Sequence, residues 1–435
     1  MNRTHPRHSC IVCAGLLLVA LSTGVRSLSP DIEVRPAGRL QYEMMQLVHT
    51  TVRSDPDDPK ADSLLPLAWR HDMRGEFAVD VTIRENAAVY VGIWSTIGNN
   101  FVDGRSGQTT IKGTGRKLSS GLTETKLTLG FGSGEERPFT LTAGLFKFAY
   151  NDDARDLGEY LFKSQCYPGV LYSGFDSAQI VGAQLRSTHA DFMTHDLFVT
   201  SELEVDPMFD FSLAYLGEFR VREVFTFGLG GMLYRLIPVN PDNTKPSIYR
   251  VITDTVGTDA EGDPIYEYDT LTFAGVKAMG RFMLDPKPLL GSPDIFGPED
   301  LKLYAEGAVL GVQDQGVFYE DIMERIPIMV GFNVPAFKLL DVLAAELEYY
   351  GSPHVNNPDT KGAPYQHDPA ESPDHQGYGH ENDIKWAITA IRGVGSHVSI
   401  RARVASDHLR TPEHTSSFLV APDQFYWSLK FSLTF

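Results

Sequence analysis

Phe425-Tyr426-Trp427-Ser428-Leu429-Lys430-Phe431-Ser432-Leu433-Thr434-Phe435 ends the chain, and its period of two decides the fold. Large apolar side chains stand at 425, 427, 429, 431, 433 and 435, with Tyr, Ser, Lys, Ser and Thr between them. Successive side chains of a β-strand point to opposite faces, so one face here is wholly apolar and the other polar. Helices could cover such a face in a soluble sheet. Helical periodicity is almost absent from this chain, so the expected cover is lipid.

The same alternation recurs. Phe77, Val79, Val81 and Ile83 alternate with Glu76, Ala78, Asp80 and Thr82; Phe209, Phe211, Leu213 and Tyr215 alternate with Asp210, Ser212 and Ala214. Ile326 to Val334 and Val398 to Val404 repeat it, as do Leu301 to Val309 against Lys302, Tyr304 and Glu306. Each segment is ~10 residues long, which a tilted strand needs to cross hydrocarbon. Sixteen candidates follow: 38–50, 74–84, 87–96, 123–132, 138–150, 176–187, 193–204, 208–219, 223–236, 269–284, 299–313, 325–334, 339–352, 382–394, 396–408 and 423–435. In 269–284 the charged positions require a bulge near Ala274-Gly275 that turns Lys277 and Arg281 inward, since a cation facing lipid at the midplane costs roughly 2–4 kcal/mol.

The connections alternate in length. Gaps after odd-numbered strands are long (51–73, 97–122, 151–175, 237–268, 353–381), and most of those after even-numbered strands are tight, such as Glu85-Asn86 and Gly395. The turn at Val205-Asp206-Pro207 is short and the segment 285–298 long, so 14 or 18 strands remain open. The fold class expected is an all-β transmembrane antiparallel up-and-down barrel of about 16 strands. A soluble all-β exported protein is the alternative.

Near the start, Arg3, His5, Arg7 and His8 precede an apolar run from Ile11 to Leu21, then small residues. That is the layout of a secretory signal peptide, too short for a membrane span. The expected division is a signal over 1–27, cleaved after Ser22 or Ser27, and one barrel domain over 28–435. Cys166 is then the only cysteine, so no disulfide holds the exported chain. The formal charge of −18, or −21 without Arg3, Arg7 and Arg26, argues against nucleic acid as partner.

With these features assembled, the chain resembles a bacterial outer-membrane β-barrel of the porin type, carried by the leader, the Phe425–Phe435 strand and the loop asymmetry. The resemblance implies a Gram-negative outer membrane, contact with its lipid and lipopolysaccharide, and delivery to the barrel assembly machinery, with Trp427, Phe431 and Phe435 in the assembly signal. It implies a channel for passive or weakly selective diffusion of small hydrophilic solutes, and leaves a homo-oligomer open. General porins fold their third outer loop into the lumen. Here that loop runs from Asn151 to Lys163, where Asn151 is positioned to cap a short helix with Leu157, Tyr160 and Leu161 on one face. Asp152, Asp153, Asp156 and Glu159 are the candidate constriction; a surface helix capping the mouth is the alternative. Inward basic candidates are Lys385, Arg401, Arg403 and Lys430, at least equalled by Glu43, Glu76, Asp80, Asp210, Glu218, Glu346 and Glu348, which favours cations weakly.

Other constellations are weaker. His354, His367, His375 and His380 share the 353–381 loop, but their spacings of 13, 8 and 5 match no compact metal motif. No Gly-x-Ser-x-Gly turn exists, and His397 with Ser399 fits lumen lining better than catalysis. Gly228-Leu229-Gly230-Gly231 has no following helix to bind phosphate and is expected to relieve crowding in the wall. Neither an enzyme nor a cofactor is implied. The second function expected is a plugged structural or surface-binding barrel that uses its long acidic loops.

Overall fold

Alternation between apolar and polar side chains is realised as strands along nearly the whole described chain. The computed structural model describes residues 26–29, 31–48, 69–84, 86–99, 116–132, 138–162, 178–189, 192–201, 209–239, 250–258, 262–270, 275–291, 293–312, 322–350, 383–406, 409–410, 417–418 and 425–435. The barrel strands are β1 (Ile32–Val48), β2 (Trp69–Ile83), β3 (Ala87–Asn99), β4 (Arg116–Phe131), β5 (Phe139–Phe148) and β6 (Ala178–His189). Next come β7 (Met193–Ser201), β8 (Phe211–Val221), β9 (Phe225–Ile237), β10 (Gly275–Leu284) and β11 (Leu303–Val309). The last are β12 (Pro327–Asn333), β13 (Val342–Tyr350), β14 (Asp383–Val394), β15 (Val398–Ser406) and β16 (Phe425–Thr434).

Each strand pairs antiparallel with the next, and β16 pairs with β1, so sixteen strands close on themselves. The closing register sets Leu40 against Leu433, Tyr42 against Phe431 and Met44 against Leu429. Closure matters physically: in lipid every backbone donor and acceptor needs an internal partner, and a barrel has no open edge. The outward phase carries Leu40, Ile93, Leu122, Leu197, Leu229, Ile328, Leu347 and Phe431, all exposed. Their neighbours in sequence face the lumen. No helix among the described residues is long and apolar enough to cross a membrane.

At the seam, the Phe435 ring fills the space that a Cβ on Gly38 would need. Gly38 N–H donates to the Phe435 carbonyl (2.8 Å), and Phe435 N–H donates to the Gly38 carbonyl (3.0 Å). A short strand, Arg26–Ser29, pairs with the start of β1 beyond this rim.

Several boundaries differ from expectation for physical reasons. β11 starts at Leu303 rather than near 299, because Leu301 turns through φ +66° and the preceding segment is tied across the rim. Residues 269–270 belong to a separate hairpin, Arg250–Thr258 with Pro264–Thr270, inside the gap that reads as plain loop. Lys277 and Arg281 face inward on β10 as the charges demand; the residue Ala274 of the expected bulge lies outside the described residues. A bulge absent from the expectation sits in β4, where Thr123 is extra between Leu122 and Glu124 and is buried. His397 lies on the β14–β15 turn rather than in the wall, and its ring meets the Thr434 carbonyl at 2.9 Å. The glycines of β9 do relieve crowding: a Cβ on Gly230 would lie 2.6 Å from Leu216 and 3.2 Å from Leu161.

Candidate functional site: the infolded loop and the lumen wall

The connection after β5 turns into the barrel. Leu157, Tyr160 and Leu161 are buried against Phe146 and Phe148 of β5, Phe198 of β7, Leu216 of β8, Met279 of β10 and Met329 of β12. The three apolar residues do share one packed side, but the backbone is not the expected helix. Residues 151–162 are turns and bends, with Gly158 at φ +82° and Glu159 at φ +62°. A Cβ on Gly158 would lie 2.6 Å from Met329 and 3.2 Å from Glu306.

The reason lies in where the amide donors go. A helix gives each N–H to a carbonyl four residues back. Here wall carboxylates take them instead. Glu346 accepts the N–H groups of Arg155 (2.5 Å), Asp156 (2.9 Å) and Leu157 (2.9 Å), and the Tyr304 hydroxyl (2.8 Å). Glu306 accepts the N–H groups of Glu159 (3.0 Å) and Tyr160 (2.9 Å), the Tyr150 hydroxyl (2.5 Å) and the Asn151 amide (3.2 Å). Glu348 accepts the Tyr160 hydroxyl at 2.7 Å. Successive N–H groups converging on a carboxylate form a strong charge-assisted clamp. Burial, reinforced by Glu306 and Glu348, pushes the Tyr150 and Tyr160 hydroxyls well above the ordinary tyrosine range, which keeps both as donors.

The four acidic loop residues separate in space. Asp152 is exposed. Asp153 meets Lys302 at 3.0 Å. Asp156 meets Arg401 at 2.6 Å and Arg403 at 3.1 Å, and accepts the Thr389 hydroxyl at 2.5 Å. Glu159 folds back onto its own loop, accepting the N–H groups of Tyr150 (2.8 Å) and Asn151 (2.6 Å). Of the basic candidates, Arg401 and Arg403 are thus brought to the loop. Lys430 reaches Glu43 at 3.5 Å, and Lys385 is buried opposite Glu348 in register. Trp427 and Phe431 are on the outward phase, with Trp427 Nε1–H donating to Gln46 at 3.0 Å. The 353–381 histidine loop and Cys166 lie outside the described residues.

Residues that sequence reasoning passed over include Glu306, Tyr150, Tyr304, Glu299 and Thr389. Glu306 and Tyr304 share the polar phase of their strand, and that was the available signal. Their importance comes from a loop more than a hundred residues away in sequence, which periodicity does not report.

Away from the loop, the lumen wall carries ion pairs of another kind. Arg74 meets Glu76 at 2.9 Å and lies over the Trp94 ring, Lys126 meets Glu124 at 3.0 Å and lies over Tyr90, and Lys147 reaches Glu76 at 3.8 Å. These side chains are wetted: Lys126 is 28% exposed and Lys430 19%, whereas Glu348 and Glu306 under the loop are at 0% and 1%. The loop therefore divides the lumen into a dry side, packed against β5 to β14, and a solvated side along β1 to β4, β15 and β16, which Lys147 of β5 also faces.

No family model matches this chain, and no curated protein sequence does. Solved structures similar to it include OprB of Pseudomonas putida, at 11% identity and a TM-score of 0.48, over 92% of this chain and 94% of that one. Two mutants of the Rhodopseudomonas blastica porin align at 8% identity with TM-scores of 0.44 and 0.45, over 92% of this chain and 100% of theirs. The class follows from the molecule itself. Sixteen strands closed edge to edge, an apolar outer band and a long loop folded inward give this chain the architecture of a porin-type transmembrane β-barrel.

Proposed function

We propose that the barrel is a channel through which small hydrophilic solutes diffuse passively across the outer membrane. The observation that carries this reading is the solvated half of the lumen: inward cations and carboxylates on β1, β2, β4, β15 and β16 keep water contact while their counterparts under the loop do not. A plugged barrel would bury both sets. The reading includes export by a signal cleaved near Ser22 or Ser27, chain ends at the periplasmic rim, and long loops outside. Asp152 and Asp156 of the loop, with Arg401, Arg403 and Lys430 opposite, line the narrowest passage in this proposal.

Planar-bilayer recording tests it. Reconstituted protein is expected to give discrete, ohmic conductance steps at low voltage. Absence of steps at every voltage, in protein whose folded barrel is verified by its gel mobility before and after heating, would favour the plugged structural barrel instead.

A further inference from the structure

The β10–β11 connection, residues 285–302, is unusually long for a turn on the rim that carries Phe435. It is also firmly built. Asp300 accepts the N–H groups of Gly297 (2.8 Å), Ala336 (3.1 Å) and Phe337 (3.2 Å), and Lys287 donates to the Asp300 carbonyl at 2.6 Å. These bonds tie the connection to the neighbouring β12–β13 turn. Leu301 N–H to Asn333 (2.9 Å) and Asn333 N–H to the Lys302 carbonyl (2.9 Å) fasten its end to β12.

From this base two side chains reach the infolded loop, which enters from the opposite rim. Glu299 meets Arg155 at 2.7 Å, and Lys302 meets both Asp153 and Glu299 at 3.0 Å. Asp153, Lys302, Glu299 and Arg155 thus form one alternating charge network across the join. Burial pulls the Lys302 ammonium down, but Asp153 and Glu299 more than offset it, and its pKa stands above the ordinary lysine value. Arg155 carries the first of the amides clamped by Glu346 and directly precedes Asp156 with its two arginines, and Asp153 lies two residues before Arg155.

We infer that Glu299 and Lys302 are positioning residues for the constriction: the rim connection holds the loop in register from below, so the narrowest passage is set jointly by both rims. The inference rests on the channel reading above for its functional meaning, but its physical content is separable from it. Amide hydrogen exchange in detergent reads the loop directly, without conductance. Glu299→Gln and Lys302→Met are each expected to speed exchange at Arg155, Asp156 and Leu157 roughly two- to fivefold, the range of a partly buried ion pair. Asp341→Asn, which breaks the exposed Arg392–Asp341 pair (3.2 Å) on the adjacent turn, should leave those amides unchanged. Lys302→Arg, which keeps the alternating charges, should retain slow exchange.

In bilayers Glu299→Gln and Lys302→Met are expected to widen the spread of open-channel conductance, and Lys302→Arg to leave it as in the parent. Parent-like exchange in both Glu299→Gln and Lys302→Met overturns the inference even if the channel conducts. Faster exchange in both, with slow exchange kept in Lys302→Arg, supports it even if no conductance is found, an outcome that would count only against the channel.

Discussion

At the scale of single residues, the carboxylate of Glu346 does more than any group in the loop it holds. Three backbone N–H groups and one hydroxyl converge on it, the bonds from Leu157 and Tyr304 buried and those from Arg155 and Asp156 partly so. Hydrogen bonds to a charged group are worth ~1.5–3 kcal/mol each, and a buried donor left without a partner is costly. Glu346→Ala should therefore lower stability by about 3 kcal/mol or more in urea titration, and loosen the amides of residues 155–157 in hydrogen exchange. Equal stability of parent and variant would show that water replaces the carboxylate freely. Inward placement of Glu346 and Glu348 is legible from the alternation of β13. Their partners are not, because no periodicity links residues 346 and 155.

At the scale of elements, β16 shows how far local pattern goes. Its alternation specifies which side chains face out, and the structure pairs it with β1 to close the barrel. What the strand alone does not reveal is how its end is received. The Phe435 ring occupies space available only because residue 38 has no side chain, an arrangement in which an aromatic covers a strand glycine. Gly38→Val should displace the ring and strain the seam by about 1–3 kcal/mol, the usual range for overpacking. The loss is expected as a lower temperature for conversion from the compact to the extended gel band, and an unchanged conversion temperature would refute a packing role for Gly38. The loop teaches the converse lesson. Its apolar residues have helical spacing, yet wall carboxylates outcompete helical hydrogen bonds and a glycine at positive φ completes the turn.

At the scale of the whole molecule, net charge and lumen charge part company. The chain carries −18, but six cations on the lumen wall (Arg74, Lys126, Lys147, Arg401, Arg403, Lys430) pair with three wall carboxylates (Glu43, Glu76, Glu124) and with Asp156 of the loop. Arg39, Asp72 and Asp80 share the inward phase and bring the two signs close to balance. Selectivity should accordingly be weak, with a reversal potential near zero in a salt gradient, rather than cation-preferring as the inward acidic positions suggest from sequence. Asp156→Asn removes a carboxylate that Arg401 and Arg403 share, so it should shift the reversal potential toward anions. A strong cation preference in the parent would contradict this accounting.

Alternation by itself determined the barrel, a strand count near sixteen and which side chains face lipid. Those properties depend on a period of two that each segment carries locally, and on the need to satisfy every backbone group once the outer face is lipid. The infolded loop's conformation, the split between dry and solvated halves of the lumen, and the network joining Asp153 and Arg155 to Lys302 and Glu299 were decided only by tertiary structure. Each depends on charges from distant strands meeting at hydrogen-bond range, where burial and pairing, rather than residue type, set what a carboxylate does.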